Sequence, residues 1–360
     1  MPLAPLSIGS VAVQPNLVLA PMSGVTNIAF RRLIKELNPG AVGLVVTEFI
    51  SIEGLTRANA QSLQMMRYTE GERPISIQIF GYEISRMVDA AKMVEDAGAD
   101  IVDINCGCPV PKVVRKGGGC ELMRQPDHLA KMLTAVKQAV KIPLTLKIRA
   151  GWDNANRNAL SIGKMAEDCG VSMLAVHGRS RQDLYRGKAD WTLVGEVARA
   201  LKIPVIGSGD VVSFESAVRA FEQGVQGIMI GRAALSNPWV FSEIQSQLTA
   251  NGSGAAQFQT PPASAVIDVL ERYAELLLES MSTRAALGRM KQLSSQITRR
   301  IEGSAPMRRE LCTSGSLETM RESLKRFREE LSHPRARFRV RSAYELQTEQ
   351  LAQQEEAAQI

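Results

Sequence analysis

Short apolar, β-branched runs separated by segments of helical spacing recur eight times along the first two thirds of the chain: Leu17–Met22, Gly43–Phe49, Ile75–Phe80, Ile101–Asn105, Leu144–Arg149, Met173–His177, Val205–Gly209 and Gly227–Gly231. Such runs suit strands buried on both faces. Eight of them, each followed by an amphipathic segment, predict an α/β fold closed into a parallel (β/α)8 TIM barrel rather than a twisted open sheet. Repeated punctuation points to one reused αβ unit. Glu95–Asn105, Glu167–His177 and Glu222–Gly231 each read as a helix that ends at a glycine and drops into a strand. That glycine suits the left-handed position after a helix. Lys141–Gly151 and Lys202–Val211 both open a strand with Ile-Pro, where the missing proline donor is tolerated.

After Phe241 the pattern changes. Thr249–Ser264 is rich in Gly, Ala, Ser, Gln and Pro, a linker composition, and Ala265–Leu331 has helical periodicity with few strand formers. Between 264 and 341 there are 16 Lys or Arg against 10 Asp or Glu. The expected organisation is a catalytic barrel over 1–248, a linker over 249–263, a small all-helical basic domain over 264–332, and a basic then polar tail over 333–360. A chain of 360 residues exceeds what one core usually holds, which suits two units.

No apolar run is long enough to cross a bilayer, and the first residues lack a cationic leader followed by an apolar stretch. Five cysteines is an odd number, which disfavours a disulfide framework. A cytoplasmic, monomeric protein with no membrane partner is expected. The net charge of +6 fits a polyanionic partner, although many ordinary enzymes are as basic.

A barrel of this kind carries its active site at the C-terminal ends of its strands. The residues there are polar: Pro21-Met22-Ser23, Glu48, Gln78, Asn105 with Cys108, Lys147 with Arg149, His177 with Arg179, Ser208-Gly209-Asp210 and Gly231-Arg232. Any one could be a satisfied group at a strand end, but burying the whole set unpaired would cost a few kcal/mol per group. Glycines closing strands 7 and 8 predict phosphate binding through backbone N–H groups, with Arg232 adding a charge-assisted contact. The stretch Asp103–Met123 holds Cys106, Cys108 and Cys120 among glycines, prolines and cations. Zinc would want a second compact ligand pair, which is missing, so no metal is expected. Cys108 can be a proton donor, since a thiol near its ordinary pKa is mostly protonated at neutral pH. It can also be a nucleophile, if Arg115 and Lys116 favour the thiolate. Cys106, Cys120, Cys169 and Cys312 read as small apolar residues.

These residues carry a resemblance. "LAPMSGVTN" (Leu19–Asn27), "TEF" (Thr47–Phe49), "IQIFG" (Ile77–Gly81), "DINCGCPVPKVVRKGGG" (Asp103–Gly119), "LKIRAGWD" (Leu146–Asp153), "VHGRSR" (Val176–Arg181) and "IGRAAL" (Ile230–Leu235) resemble the bacterial tRNA-dihydrouridine synthases. The likeness spans most of the barrel and continues weakly into Ala286–Ser295. It implies a flavin-dependent oxidoreductase with tightly bound FMN, reduced by NADPH, that saturates a flipped tRNA uridine. Hydride would go to C6 and a proton from Cys108 to C5. Carried over by position, Pro21, Met22, Ser23, Gln78, Lys147, His177, Gly209, Asp210, Gly231 and Arg232 look like FMN contacts. Ser208 stands where the family usually has Asn.

For tRNA, a basic helical domain beside a basic barrel rim is the expected footprint. Asn105, Arg149, Arg179, Arg181, Arg289 and Lys291 are candidate substrate contacts, with Arg186, Arg299 and Arg300 further cations. Arg335–Tyr344 interleaves cations with aromatics and could grip RNA. Two other readings compete: a dehydrogenase of a free pyrimidine, which would need no basic appendage, and a non-catalytic RNA-binding barrel, which would have no need of Cys108 or Lys147.

Overall fold

The computed structural model describes residues 3–250, 258–332 and 340–341. The expected linker and tail therefore lie largely outside the described residues, as does Arg335–Tyr344 apart from Val340 and Arg341. The described residues divide between two compact units, one drawn from Met1–Ile28 and Gly40–Gly231, the other from Ala29–Pro39 and Arg232–Ile360.

The first unit is the barrel. Its strands are β1 (Leu17–Leu19), β2 (Leu44–Val46), β3 (Ile75–Phe80), β4 (Ile101–Cys106), β5 (Leu144–Arg149), β6 (Met173–His177), β7 (Val205–Ser208) and β8 (Gly227–Ile230). Each pairs in parallel with the next, and β8 pairs with β1, so the ring closes. A two-residue strand, Ile50–Ser51, adds to the end of β3.

An antiparallel hairpin, Leu6–Ile8 with Val11–Val13, supplies the barrel floor. Its Leu6, Ile8 and Val13 pack with Val18, Ala20, Leu44, Val46, Ile101, Met173, Ala175, Ile206 and Met229. Side chains two apart on a strand share a face. Climbing from that apolar floor, the inward positions become Met22, Glu48, Asp103 then Asn105, His177, Ser208 and Gly231. The lower half is thus a packed core, and the polar residues gather at the C-terminal mouth.

The repeated αβ unit has a shared local device. The backbone N–H groups of Lys141 and Ile142 donate to Glu95 at 2.6 and 3.0 Å, and those of Lys202 and Ile203 donate to Glu167 at 2.6 and 2.8 Å. One carboxylate near the end of each helix thereby satisfies the donors of the turn that leads into a later strand. Gly98, Gly170 and Gly224 end their helices at φ of 78°, 83° and 91°, in the left-handed region that glycine reaches without Cβ strain.

The second unit is helical. It holds Ala265–Leu278, Thr283–Ile297, Ala305–Thr313 and Leu317–Ser332, together with most of the helix Ile28–Leu37. That last helix follows the first barrel strand in sequence yet packs here. Phe30 meets Tyr273 edge to face at 6.2 Å, Arg272 pairs with Glu36 at 2.8 Å, and Arg32 pairs with Glu279.

Candidate active site

Strand register sets the site in layers. Gln78, Asp103 and Thr145 are aligned across β3, β4 and β5. One step nearer the mouth Asn105 aligns with Lys147, and above them Arg149 aligns with His177, and His177 with Ser208.

The lowest polar layer is hydrogen-bonded into a chain. Thr145 Oγ1 donates to Asp103 Oδ1 at 2.6 Å, and Gln78 Nε2 donates to Asp103 Oδ2 at 2.5 Å. Asn105 Nδ2 donates to Gln78 Oε1 at 2.7 Å, while Asn105 Oδ1 accepts the N–H groups of Gly107 and Cys108 at 3.2 and 2.9 Å. The backbone carbonyl of Cys108 in turn accepts from the N–H of Cys120 at 3.1 Å. Asn105, expected to touch substrate, thus has its amide engaged in fixing the turn that carries the thiol. The roles of Asp103 and Thr145 were missed in the sequence reading. Their signal was present: both are polar residues at the inward parity of otherwise apolar strands.

Cys108 is buried, and burial pushes its thiol pKa up, with hydrogen bonding by Val110 and the charge of Arg149 opposing that rise. Arg115 and Lys116 are exposed, and neither is among the groups that shift it. The thiol form is therefore favoured over the thiolate. Cys106 is pushed well above the usual thiol range by burial, and burial carries Cys120 to about 12. Among the described residues no three His, Cys, Asp or Glu side chains come together as a metal-ligand set.

Two cations reach the mouth on β5. Burial, then repulsion from Arg149, pushes the Lys147 ammonium down to about 8, against the opposing pull of Asp103. Lys147 makes no hydrogen bond or ion pair among the described residues. Arg149 is 2% exposed; its Nε donates to the Gly107 carbonyl at 2.9 Å and its Nη1 to the Ser180 and Leu184 carbonyls at 2.8 and 2.7 Å. Arg149 also lacks a carboxylate partner among the described residues, and burial lowers its pKa. Two desolvated cations, offset only by the distant pull of Asp103 and with no ion-pair contact among the described residues, form a site suited to an anionic ligand.

The other expected contacts surround this centre. Met22 is held by a compact turn in which its N–H donates to Thr26 Oγ1 at 3.0 Å; Pro21 is half-buried and Ser23 exposed. The Gly24 N–H donates to the Glu48 carboxylate. Ser208 is buried. Gly209, at φ 127°, lies so close to Ala189 and His177 that a Cβ would sit 2.6 and 3.1 Å from their side chains. At Gly231 a Cβ would meet Ala20 at 3.3 Å and the Met22 sulfur at 3.5 Å. Asp210 turns its carboxylate to Arg179 Nη2 and the Ala189 N–H, both at 2.8 Å.

Several expected tRNA cations are differently placed. Arg179 is 2% exposed and spends its guanidinium on Asp210 and the carbonyls of Arg186 and Gly187, so it staples a loop. Its burial leaves little edge for a phosphate. Arg300 is likewise buried, donating to Asn237 and to the Arg341 carbonyl. By contrast Arg181 is half-buried and lies over Trp152 at 4.7 Å, with Arg124 over the same ring at 4.6 Å. Arg186 and Arg299 are exposed. Arg289 and Lys291 are half-exposed on Thr283–Ile297 of the helical unit, and Arg232 opens that unit just after Gly231.

A sequence model described as "Dihydrouridine synthase (Dus)" matches residues 18–332. The chain belongs to the dihydrouridine synthase family. The match runs from β1 through the last helix of the second unit, so membership covers both units. It is 44% identical over 243 residues to tRNA-dihydrouridine synthase B of Pseudomonas putida, covering 67% of this chain and 71% of that protein. It is 41% identical over 271 residues to a probable tRNA-dihydrouridine synthase of Rickettsia bellii, covering 74% and 81%. Among solved structures, a mandelate oxidase variant with benzaldehyde superposes with a TM-score of 0.45 at 15% identity, over 68% of this chain and 73% of that one.

Proposed function

We propose that this protein is an FMN-dependent oxidoreductase that reduces a uridine of tRNA to 5,6-dihydrouridine, with NADPH as reductant. The observation that carries this reading is a buried thiol, Cys108, whose pKa burial raises, at the mouth of a barrel beside two buried cations, Lys147 and Arg149, that make no ion pair among the described residues. The donor set fits FMN, which brings phosphate charge and, when reduced, an anionic ring system. Gln78, Lys147 and His177, with backbone at Pro21 to Ser23, Ser208 to Asp210 and Gly231, would hold it. Arg232 is assigned a phosphate contact by resemblance. FMN held there would supply hydride chemistry toward C6 of the uracil.

The chain's own residues do the rest. Cys108 gives its proton to C5 as general acid, a role that needs a thiol, which burial secures. The charge on Lys147 stabilises negative charge that develops opposite it, where low dielectric makes one cation effective. Asp210, engaged with Arg179, contributes through its backbone. The target base must leave its stack to reach a thiol inside a barrel mouth. Arg181 and Arg186 on the barrel and Arg289, Lys291 and Arg299 on the helical unit are the cations available for tRNA phosphates.

Purified protein is expected to show a flavin spectrum and to form dihydrouridine in unmodified tRNA with NADPH, while free uridine and dihydroorotate remain unreacted. Turnover of a free pyrimidine without tRNA would favour a small-molecule dehydrogenase. Protein that cannot be reconstituted with FMN would overturn both.

A further inference from the structure

The polar layer beneath the thiol has a direction. A carboxylate only accepts, so Asp103 forces Gln78 to present its NH2 group downward and its carbonyl upward. That carbonyl fixes the Asn105 NH2 toward Gln78, leaving Asn105 Oδ1 to meet the two N–H groups of Gly107 and Cys108. Thr145 closes the lower end by donating to the other Asp103 oxygen. Each amide can flip only if its neighbour flips, so the carboxylate of Asp103 at one end and the two N–H donors at the other require the same orientation.

We propose that Asp103 is a positioning residue, acting through Gln78 and Asn105 to hold the Cys108 backbone, and with it the thiol, in one place. The proposal rests on the assignment of Cys108 as the proton donor. Asp103 is 4% exposed, Gln78 fully buried and Asn105 6% exposed, so water has little access to substitute for a lost link. An amide at position 103 can point a donor at Gln78. The reversed chain would then aim the Asn105 NH2 at two backbone N–H donors, and the Gly107–Cys108 turn would have to move. A shift of the order of 1 Å at a reacting group costs about 100-fold in rate.

The test is Asp103→Asn alone and combined with Gln78→Glu. The double variant moves the acceptor-only group up one link: Asn at 103 donates to Glu at 78, and Asn105 regains its direction. Two readouts are taken on purified protein: hydrogen exchange of the Cys108 amide, with and without flavin, and the separate rates of flavin reduction by NADPH and reoxidation by tRNA. For Asp103→Asn, amide exchange should rise and tRNA-dependent reoxidation fall, each by about tenfold or more, with flavin reduction within about twofold of the parent. The double variant should recover exchange protection at the Cys108 amide, read in flavin-free protein because Gln78 is itself among the residues proposed to hold the flavin. Unchanged Cys108 exchange in Asp103→Asn, equal slowing of both half-reactions, or no recovery of protection in the double variant would each overturn the relay. If exchange responds as stated but even the parent protein does not reduce tRNA, the relay stands and the tRNA assignment falls.

Discussion

At the scale of single residues, burial is the dominant influence on the site. It raises the Cys108 pKa and lowers Lys147 to about 8, so a thiol just past β4 and a weakened cation on β5 share the mouth. The Lys147 shift gives a signed prediction. From about pH 8 to 10.5 the unfolded chain keeps a proton on this lysine that the folded apoprotein has lost, so folding stability rises with pH across that window. Compared by urea unfolding, flavin-free wild type should gain on Lys147→Met as pH climbs through it. A constant difference would mean that Lys147 is not desolvated. At lower pH the buried charge opposes folding until an anionic ligand pairs with it, so FMN should raise the thermal midpoint of wild type more than that of Lys147→Met. The cysteines show how far sequence could go: the Gly-Cys-Pro setting marked Cys108, but three thiols in one stretch do not announce their depths. The structure adds those depths, with burial carrying Cys106 and Cys120 farther from the thiolate, above the usual thiol range.

At the scale of elements, the eight strands were legible because apolar runs and Ile-Pro openings are local signals. Glu95 and Glu167, by contrast, act at a distance of 46 and 35 residues, and no short window reveals a carboxylate that caps a remote turn. Replacing either by Ala strands two backbone donors at the turn into a strand. Each change should lower stability by about 1–2 kcal/mol, read from the urea midpoint, with additive effects because the two turns are separate. Full neutrality of both would show that water satisfies those donors equally well. Arg179 likewise has a partner that a short window does not show. Its place beside His177 at a strand end suggested an RNA contact, whereas its guanidinium meets the 186–187 carbonyls farther along its own loop and Asp210 in another. Arg179→Ala should destabilise the fold by about 2–3 kcal/mol, because it removes a buried guanidinium that ties Asp210 to the 186–187 carbonyls, rather than weaken tRNA binding selectively.

At the scale of the whole molecule, the chain joins a barrel to a helical unit that carries Arg289 and Lys291 on Thr283–Ile297. The helix Ile28–Leu37 was not separable by sequence, because its periodicity reads as an ordinary barrel helix although most of it packs in the second unit. Substituting Arg289 and Lys291 by Gln should weaken tRNA binding and reduce its salt slope by about one for each lost phosphate contact, with flavin content unchanged. The account as a whole turns on Cys108 as the acid in a tRNA uridine reductase. Its most direct test is dihydrouridine content, by mass spectrometry, of unmodified tRNA incubated with NADPH and either wild type or Cys108→Ala, both carrying equal flavin. The account predicts dihydrouridine with wild type and a loss of about 100-fold or more with the variant, while NADPH still reduces its flavin. Equal dihydrouridine from both proteins, or none from flavin-loaded wild type, would contradict it.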